Sequence, residues 1–197
     1  MSNDGVNTGR RRFLTAATSV VGAAGAVAVA VPFVGSWTPS AKAKAAGAPV
    51  KIDISKLKPG AMTVEEWRGK PVYIVHRTAE EMANIEKLND VVADPDSGRS
   101  KQPAYAMGYT RSIKPEIVVL IGLCTHLGCA PKFRPELAPA DLGSAWLGGF
   151  FCPCHGSKFD LSGRVYKSVP APINLEVPPY RFESDAVIVI GEDQEVA

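Results

Sequence analysis

Two hexapeptides, CTHLGC at 124–129 and CPCHGS at 152–157, hold all four cysteines of the chain and two of its three histidines. Thiolate sulfur and imidazole nitrogen are the side-chain ligands of zinc, copper and iron. On spacing alone, Cys124-x-His126 and Cys152-x-x-His155 supply two of each. Such a set suggests tetrahedral zinc first. Three features argue against a plain zinc site. The one-residue separation of Cys124 and His126 is unlike the wider Cys–Cys and His–His pairs of zinc modules. Each box also carries a further cysteine, Cys129 and Cys154, which a four-ligand zinc site leaves over. Finally, each box contributes one thiol and one imidazole, as if one iron took both cysteines and a second iron both histidines. That is the ligand plan of a 2Fe-2S centre in which two histidines replace two cysteines.

The rest of the chain must position these boxes. Its 197 residues allow one domain of ordinary size and an appendage. A net charge of +2, from 22 basic and 20 acidic residues, gives no basic field for nucleic acid. Gly and Pro, 18 and 16 residues, predict a loop-rich, mainly β body. Four cysteines are too few for the disulfide scaffold of a small secreted protein.

The N-terminal 50 residues are of different material. Arg10, Arg11 and Arg12 precede a charge-free run from Phe13 to Gly35. As a helix that run would span about 34 Å, enough to cross a hydrocarbon core of about 30 Å. It exceeds a secretory h-region, so it reads as an uncleaved membrane anchor, although the small residues of AKAKA at 41–45 would suit a signal peptidase. The arginines place residues 1–12 in the cytoplasm and the body on the far side of the membrane. Arg10-Arg11 with Phe13-Leu14 also fits a twin-arginine export signal, which suits a protein that acquires a metal centre before translocation. Residues 36–49, small and marked by Pro and Gly, predict a tether or hinge.

From 50 to 197 the pattern is that of a body with short strands: VKIDI from Val50, PVYIVHR at 71–77, EIVVLIGL at 116–123, GGFFC at 148–152 and AVIVIG at 186–191. The third and fourth of these deliver the chain into the two boxes. Thr78 and Glu81 form a capping box for a helix running to about Leu88. Short strands with Gly/Pro turns favour an antiparallel β-sandwich or barrel over an α/β fold. His76, in a strand away from both boxes, reads as structural. Trp67, Trp146 and Phe150-Phe151 read as packing residues.

Taken together, the two boxes, the N-terminal anchor, the tether, WRGKPVYIVHRT at 67–78 and PAPINLEVP at 170–178 resemble the Rieske iron–sulfur subunits of bacterial quinol–cytochrome c oxidoreductases over nearly the whole chain. The resemblance implies an all-β fold: a Rieske-type antiparallel β-sandwich of three sheets with a cluster-binding subdomain, its loops lying within about 122–175. It implies one 2Fe-2S cluster, with Cys124 and Cys152 on the buried iron and His126 and His155 on the outer one. Cys129 and Cys154 match the family's disulfide. Ser157 matches a hydroxyl donor to cluster sulfur, Leu127 an apolar shield, and Pro170-Ala171-Pro172 the proline loop that covers the cluster. Gly128 and Gly156 are grouped with the cofactor-binding loops as positions that need φ > 0. The family's Gly-Pro-Ala-Pro is replaced here by Ser168-Val169-Pro170-Ala171-Pro172, one residue longer and without the glycine. The segment between the boxes is also longer than in many relatives and predicts a surface insertion.

The function implied is electron transfer. His155 and His126 would contact ubiquinol and take its proton, and the electron would pass to a c-type cytochrome haem. Cytochrome b, the c-type cytochrome and the bilayer are the expected partners in a dimeric complex that couples the reaction to proton translocation. The expected location is the bacterial inner membrane, single-pass, with the Rieske domain periplasmic. The Rieske subunit of another oxidoreductase, such as arsenite oxidase or a plastoquinol complex, is the alternative. A Rieske ferredoxin or oxygenase component, and a structural zinc module, are the remaining readings.

Overall fold

The computed structural model describes residues 5 and 7–193. Residues 1–4 and 6 of the expected N-terminal stretch, and 194–197 of the body, lie outside the described residues. The chain forms two compact units, Met1–Ala45 and Ala46–Ala197.

The first unit is dominated by helix α1, Thr8–Gly35, 28 residues long. It begins five residues before the apolar run, because Asn7 caps it by accepting the Arg10 N–H at 3.0 Å and arginine is a good helix former. The basic flank is therefore helical and continuous with the apolar segment. None of its residues is buried, and its most apolar 18-residue window has a mean hydropathy of 1.9. Ser36 closes the helix, its N–H donating to Pro32 O and its hydroxyl to Phe33 O. The following tether is not extended throughout. Ala41–Ala46 forms a short helix, α2, whose Ala43 N–H is accepted by Ser40 Oγ at 3.1 Å. Bulky apolar spacing is absent here, but alanine and lysine favour a helix where no packing competes.

Among the described residues, the second unit holds nine strands: β1 Val50–Asp53, β2 Ala61–Trp67, β3 Lys70–His76, β4 Ile117–Ile121, β5 Lys132–Leu137, β6 Leu147–Phe151, β7 Lys158–Asp160, β8 Tyr180–Ser184 and β9 Val187–Ile190. They pair antiparallel into three three-stranded sheets ordered β1-β9-β8, β2-β3-β4 and β5-β6-β7. Each strand read from the sequence is present. Those missed, β2, β5, β7 and β8, are short or carry charges along their length, so periodicity gives them little signal. Helix α3, Ala79–Lys87, carries the expected capping box in both directions, the Glu81 N–H donating to Thr78 Oγ1 and the Thr78 N–H to the Glu81 carboxylate. The core runs along β3 and β4, where Val72, Ile74, Val75, Val118, Val119 and Leu120 are wholly enclosed.

The segment between the boxes is at the surface in its middle, where residues 136–145 are mostly exposed, and tied to the third sheet at its ends. Its first part is β5, the edge of the third sheet, with Pro135 in the strand and a register shift between Arg134 and Leu137. The remainder turns back so that Trp146 is buried, stacked on Tyr166 at 5.9 Å and donating its indole N–H to Arg134 O.

The third sheet is close-fitting where β6 passes β7. A Cβ at Gly149 would lie 2.0 Å from Phe159 O, and no rotamer relieves a backbone collision. Gly149→Ala is expected to force the two strands apart at a cost of about 1–3 kcal/mol. Urea unfolding measures this, and an unchanged midpoint would contradict the β6–β7 register.

Candidate metal centre

The two boxes have the same backbone construction. In the first, the Cys124 N–H donates to Cys129 O at 2.7 Å and the Gly128 N–H to Cys124 O at 2.8 Å. In the second, the Cys152 N–H donates to Ser157 O at 2.8 Å and the Gly156 N–H to Cys152 O at 2.9 Å. Each is a six-residue loop closed on its first cysteine, and each turns at the fifth residue. Gly128 and Gly156 occupy that place with φ of +81° and +77°. A Cβ at either would meet nothing within 4 Å, so glycine is there for its backbone angle and not for room. β4 feeds the first loop and β6 the second.

This repetition sets the first cysteine of each loop inward, whereas Cys129 and Cys154 hold the sixth place of one loop and the third of the other. Cys124 and Cys152 are buried free thiols. Cys129 and Cys154 form a disulfide across the loops. The sulfurs of Cys129, Cys152 and Cys154 lie within 4.8 Å of one another, but the disulfide consumes two of them, so they are not a thiolate set. Burial raises the Cys124 thiol; the His126 N–H lowers it, the neighbouring Cys152 raises it, and the Ser157 hydroxyl lowers it. The two free thiols are thus neighbours, and burial disfavours the thiolate of Cys124.

Above them, the rings of His126 and His155 meet edge to face, 4.7 Å between centroids and 89° between planes. His126 is half-buried, and its Nδ1 is enclosed without any hydrogen-bond partner. His155 is exposed, and Leu127 beside the pair is 71% exposed. Two buried thiols and an orphaned imidazole nitrogen fit a metal centre and fit poorly as packing, since a buried polar atom without a partner is costly. The third histidine, His76, is accounted for: its Nδ1 bonds to Leu57 O at 2.8 Å.

A third loop ties the boxes together. Thr125 Oγ1 donates to Ile173 O at 2.6 Å, and Ser157 Oγ accepts the Ala171 N–H at 3.1 Å. In this loop Ala171 is buried, whereas Pro172 is exposed and turned from the interior. Ser168 adopts the positive φ, +59°, in the stretch where the expected glycine is missing.

Sequence reading missed Tyr73 on β3. Its ring lies where a Cβ on Gly122 would come within 2.3 Å, just before the first box. Its hydroxyl donates to Pro131 O at 3.0 Å, just after that box. The same ring stacks on Phe150 at 5.7 Å, on the strand that enters the second box. Burial raises the Tyr73 phenol, with Cys152 adding to the effect. One side chain therefore braces both loops from beneath. The only local signal is a tyrosine within an otherwise aliphatic strand.

Comparison with known proteins agrees with this geometry. Residues 50–180 match the family described as Rieske [2Fe-2S] domain, and residues 1–40 match that described as Ubiquitinol-cytochrome C reductase Fe-S subunit TAT signal. The ubiquinol-cytochrome c reductase iron-sulfur subunit of Allochromatium vinosum is 58% identical over 194 residues, 98% of this chain and 94% of that protein. The subunit of the same name from Blastochloris viridis is 46% identical over 96% of this chain and 97% of its own length. The mitochondrial cytochrome b-c1 complex subunit Rieske of Schizosaccharomyces pombe is 42% identical, over 85% of this chain and 64% of that protein.

The disulfide closes a segment with a sequence separation of 25. On the chain-entropy argument, Cys129→Ser should cost about 3–4 kcal/mol. Denaturant unfolding of the variant beside the oxidised parent measures the loss. Equal stability would mean that the loops do not depend on the bridge.

Proposed function

The chain belongs to the family of Rieske iron–sulfur subunits of ubiquinol–cytochrome c reductase, and on that premise we propose that Cys124, Cys152, His126 and His155 hold its 2Fe-2S cluster and that the histidine edge receives a quinol. The protein is the electron-transfer subunit of a cytochrome bc-type oxidoreductase. The observation that carries the ligand assignment is the pairing of two buried free thiols with the buried, partnerless Nδ1 of His126. When bound, the cluster supplies a one-electron acceptor whose potential is raised, to about −150 to +300 mV, because neutral imidazoles stand in for thiolates.

What remains is the work of side chains. With Nδ1 of His126 turned inward, Nε2 is the nitrogen left to exchange a proton. His155, the more exposed of the pair, accepts a hydrogen bond from the quinol hydroxyl and takes the proton as the quinol loses one electron. Exposed Leu127 provides an apolar rim against which a quinone ring and a pocket wall on cytochrome b can pack. Cys129–Cys154, Thr125 and Ser157 keep the three loops from separating and letting water in.

α1 is the membrane anchor, with Arg10, Arg11 and Arg12 on the cytoplasmic side and the body in the periplasm of a bacterial inner membrane. A disulfide in the body supports that side of the membrane. The body moves on the 36–49 tether between quinol pocket and a c-type cytochrome, within a dimeric complex coupled to proton translocation.

EPR spectra of reduced membranes, recorded with and without a quinol-site inhibitor, test the assignment. A Rieske-type signal with low average g that shifts with inhibitor is expected, and His155→Cys or His126→Cys should abolish it. An unchanged signal in either variant would move the ligands elsewhere. Prolines inserted within 42–47 should break α2 and slow cytochrome reduction while leaving the spectrum intact. Full turnover with such a tether would mean that the body need not move.

A further inference from the structure

Three arginines are sealed inside the body at 2% exposure or less: Arg77, Arg111 and Arg164. Among the described residues, only Arg164 of the three is in contact with a carboxylate, its Nε donating to Asp160 Oδ2 at 2.7 Å. Arg77 donates to Ser162 Oγ at 2.7 Å, to Ser112 Oγ at 2.9 Å and to the carbonyls of Thr110 and Pro115. Arg111 donates to the carbonyls of Ser162 and Gly163 at 3.1 and 3.5 Å and to Gln102 Oε1 at 3.1 Å. The other buried carboxylate, Asp94, accepts from the N–H groups of Gly98 and Arg99 and from the Ser100 hydroxyl. Among the described residues, three buried guanidiniums therefore accompany two buried carboxylates; half-buried Glu81 and exposed Glu116 also face Arg77, where water screens them more than it does the interior.

Burial lowers Arg77 and Arg111 to about 10, so both remain cations at neutral pH. Neutral oxygens satisfy them only in part, and the Nε of each has no partner. Stability alone is served as well by a neutral side chain at such a place. Their position supplies another reason. Both grip the turn at 160–163, which leaves β7, and β7 leaves the second box at Ser157. Three residues of strand, about 10 Å, separate Ser157 from Asp160.

We infer that Arg77 and Arg111 are tuning residues for the redox centre: their fixed charge behind the second box favours the reduced state and raises the midpoint potential. The inference rests on the two boxes holding the cluster. One-electron reduction adds one negative charge between the boxes, the electron coming from quinol. A buried cation attracts that charge through a medium of low dielectric, where salt screens weakly.

Gln102 allows the charge to be cancelled without touching either arginine. Gln102→Glu keeps the shape and places a carboxylate against Arg111. Gln102→Leu removes the same hydrogen bonds, to Arg111 and to Ser97 O, and adds no charge. In EPR-monitored redox titrations of the assembled complex at pH 8, Gln102→Glu should lower the equilibrium constant for reduction about three- to tenfold, roughly 30–60 mV. Gln102→Leu should leave it unchanged. Arg77→Lys should retain the parent midpoint and Arg77→Gln lower it; if the Arg77 variants fail to fold, the Gln102 pair decides. An unshifted Gln102→Glu protein, or equal shifts in both Gln102 variants, overturns the inference. Absence of any Rieske signal in the parent would instead defeat the cluster assignment, so the two failures are distinguishable.

Discussion

Two cysteine thiols buried side by side must either keep their protons or surrender them to a cation, and much of the second unit is arranged around that constraint. Cys124 and Cys152 sit at the closing hydrogen bonds of two loops of one design. Burial pushes Cys124 up as a thiol, which disfavours the thiolate while no metal is present. A metal reverses that preference, because thiolate is its ligand form. The loops are consequently held from outside. A disulfide joins them at the rim, Tyr73 braces them from the β3 side, and the hydroxyls of Thr125 and Ser157 fasten both to the 170–173 loop.

The same restraints explain what is left open. The histidine pair and Leu127 stand at the exposed end of the loops, where a partner can reach the imidazole edge without disturbing the buried sulfurs. Rigidity beneath and exposure above suit a centre that must accept an electron with little rearrangement.

Much of the site is legible in the sequence because its chemistry is local. The candidate ligands of each box lie within four residues of one another, and the glycine in the fifth place of each loop announces the positive φ that the structure shows. The capping box of α3 is equally local, its partners three residues apart. What escaped reading is long-range. Tyr73 reaches Pro131 across 58 positions, and Arg77 reaches Ser162 across 85. No periodicity encodes such contacts. β5 was hidden by its charges and by Pro135, which read as features of a loop. α2 was hidden because a six-residue alanine–lysine run has no apolar face to announce it.

Pulsed EPR of the reduced protein, labelled with nitrogen-15 in histidine alone, tests the ligand set most directly. Two strongly coupled histidine nitrogens are expected in the parent, and loss of that signal in a variant lacking either His126 or His155. A spectrum without histidine coupling, or one unaltered by both substitutions, would contradict the assignment of the two boxes as the seat of the cluster.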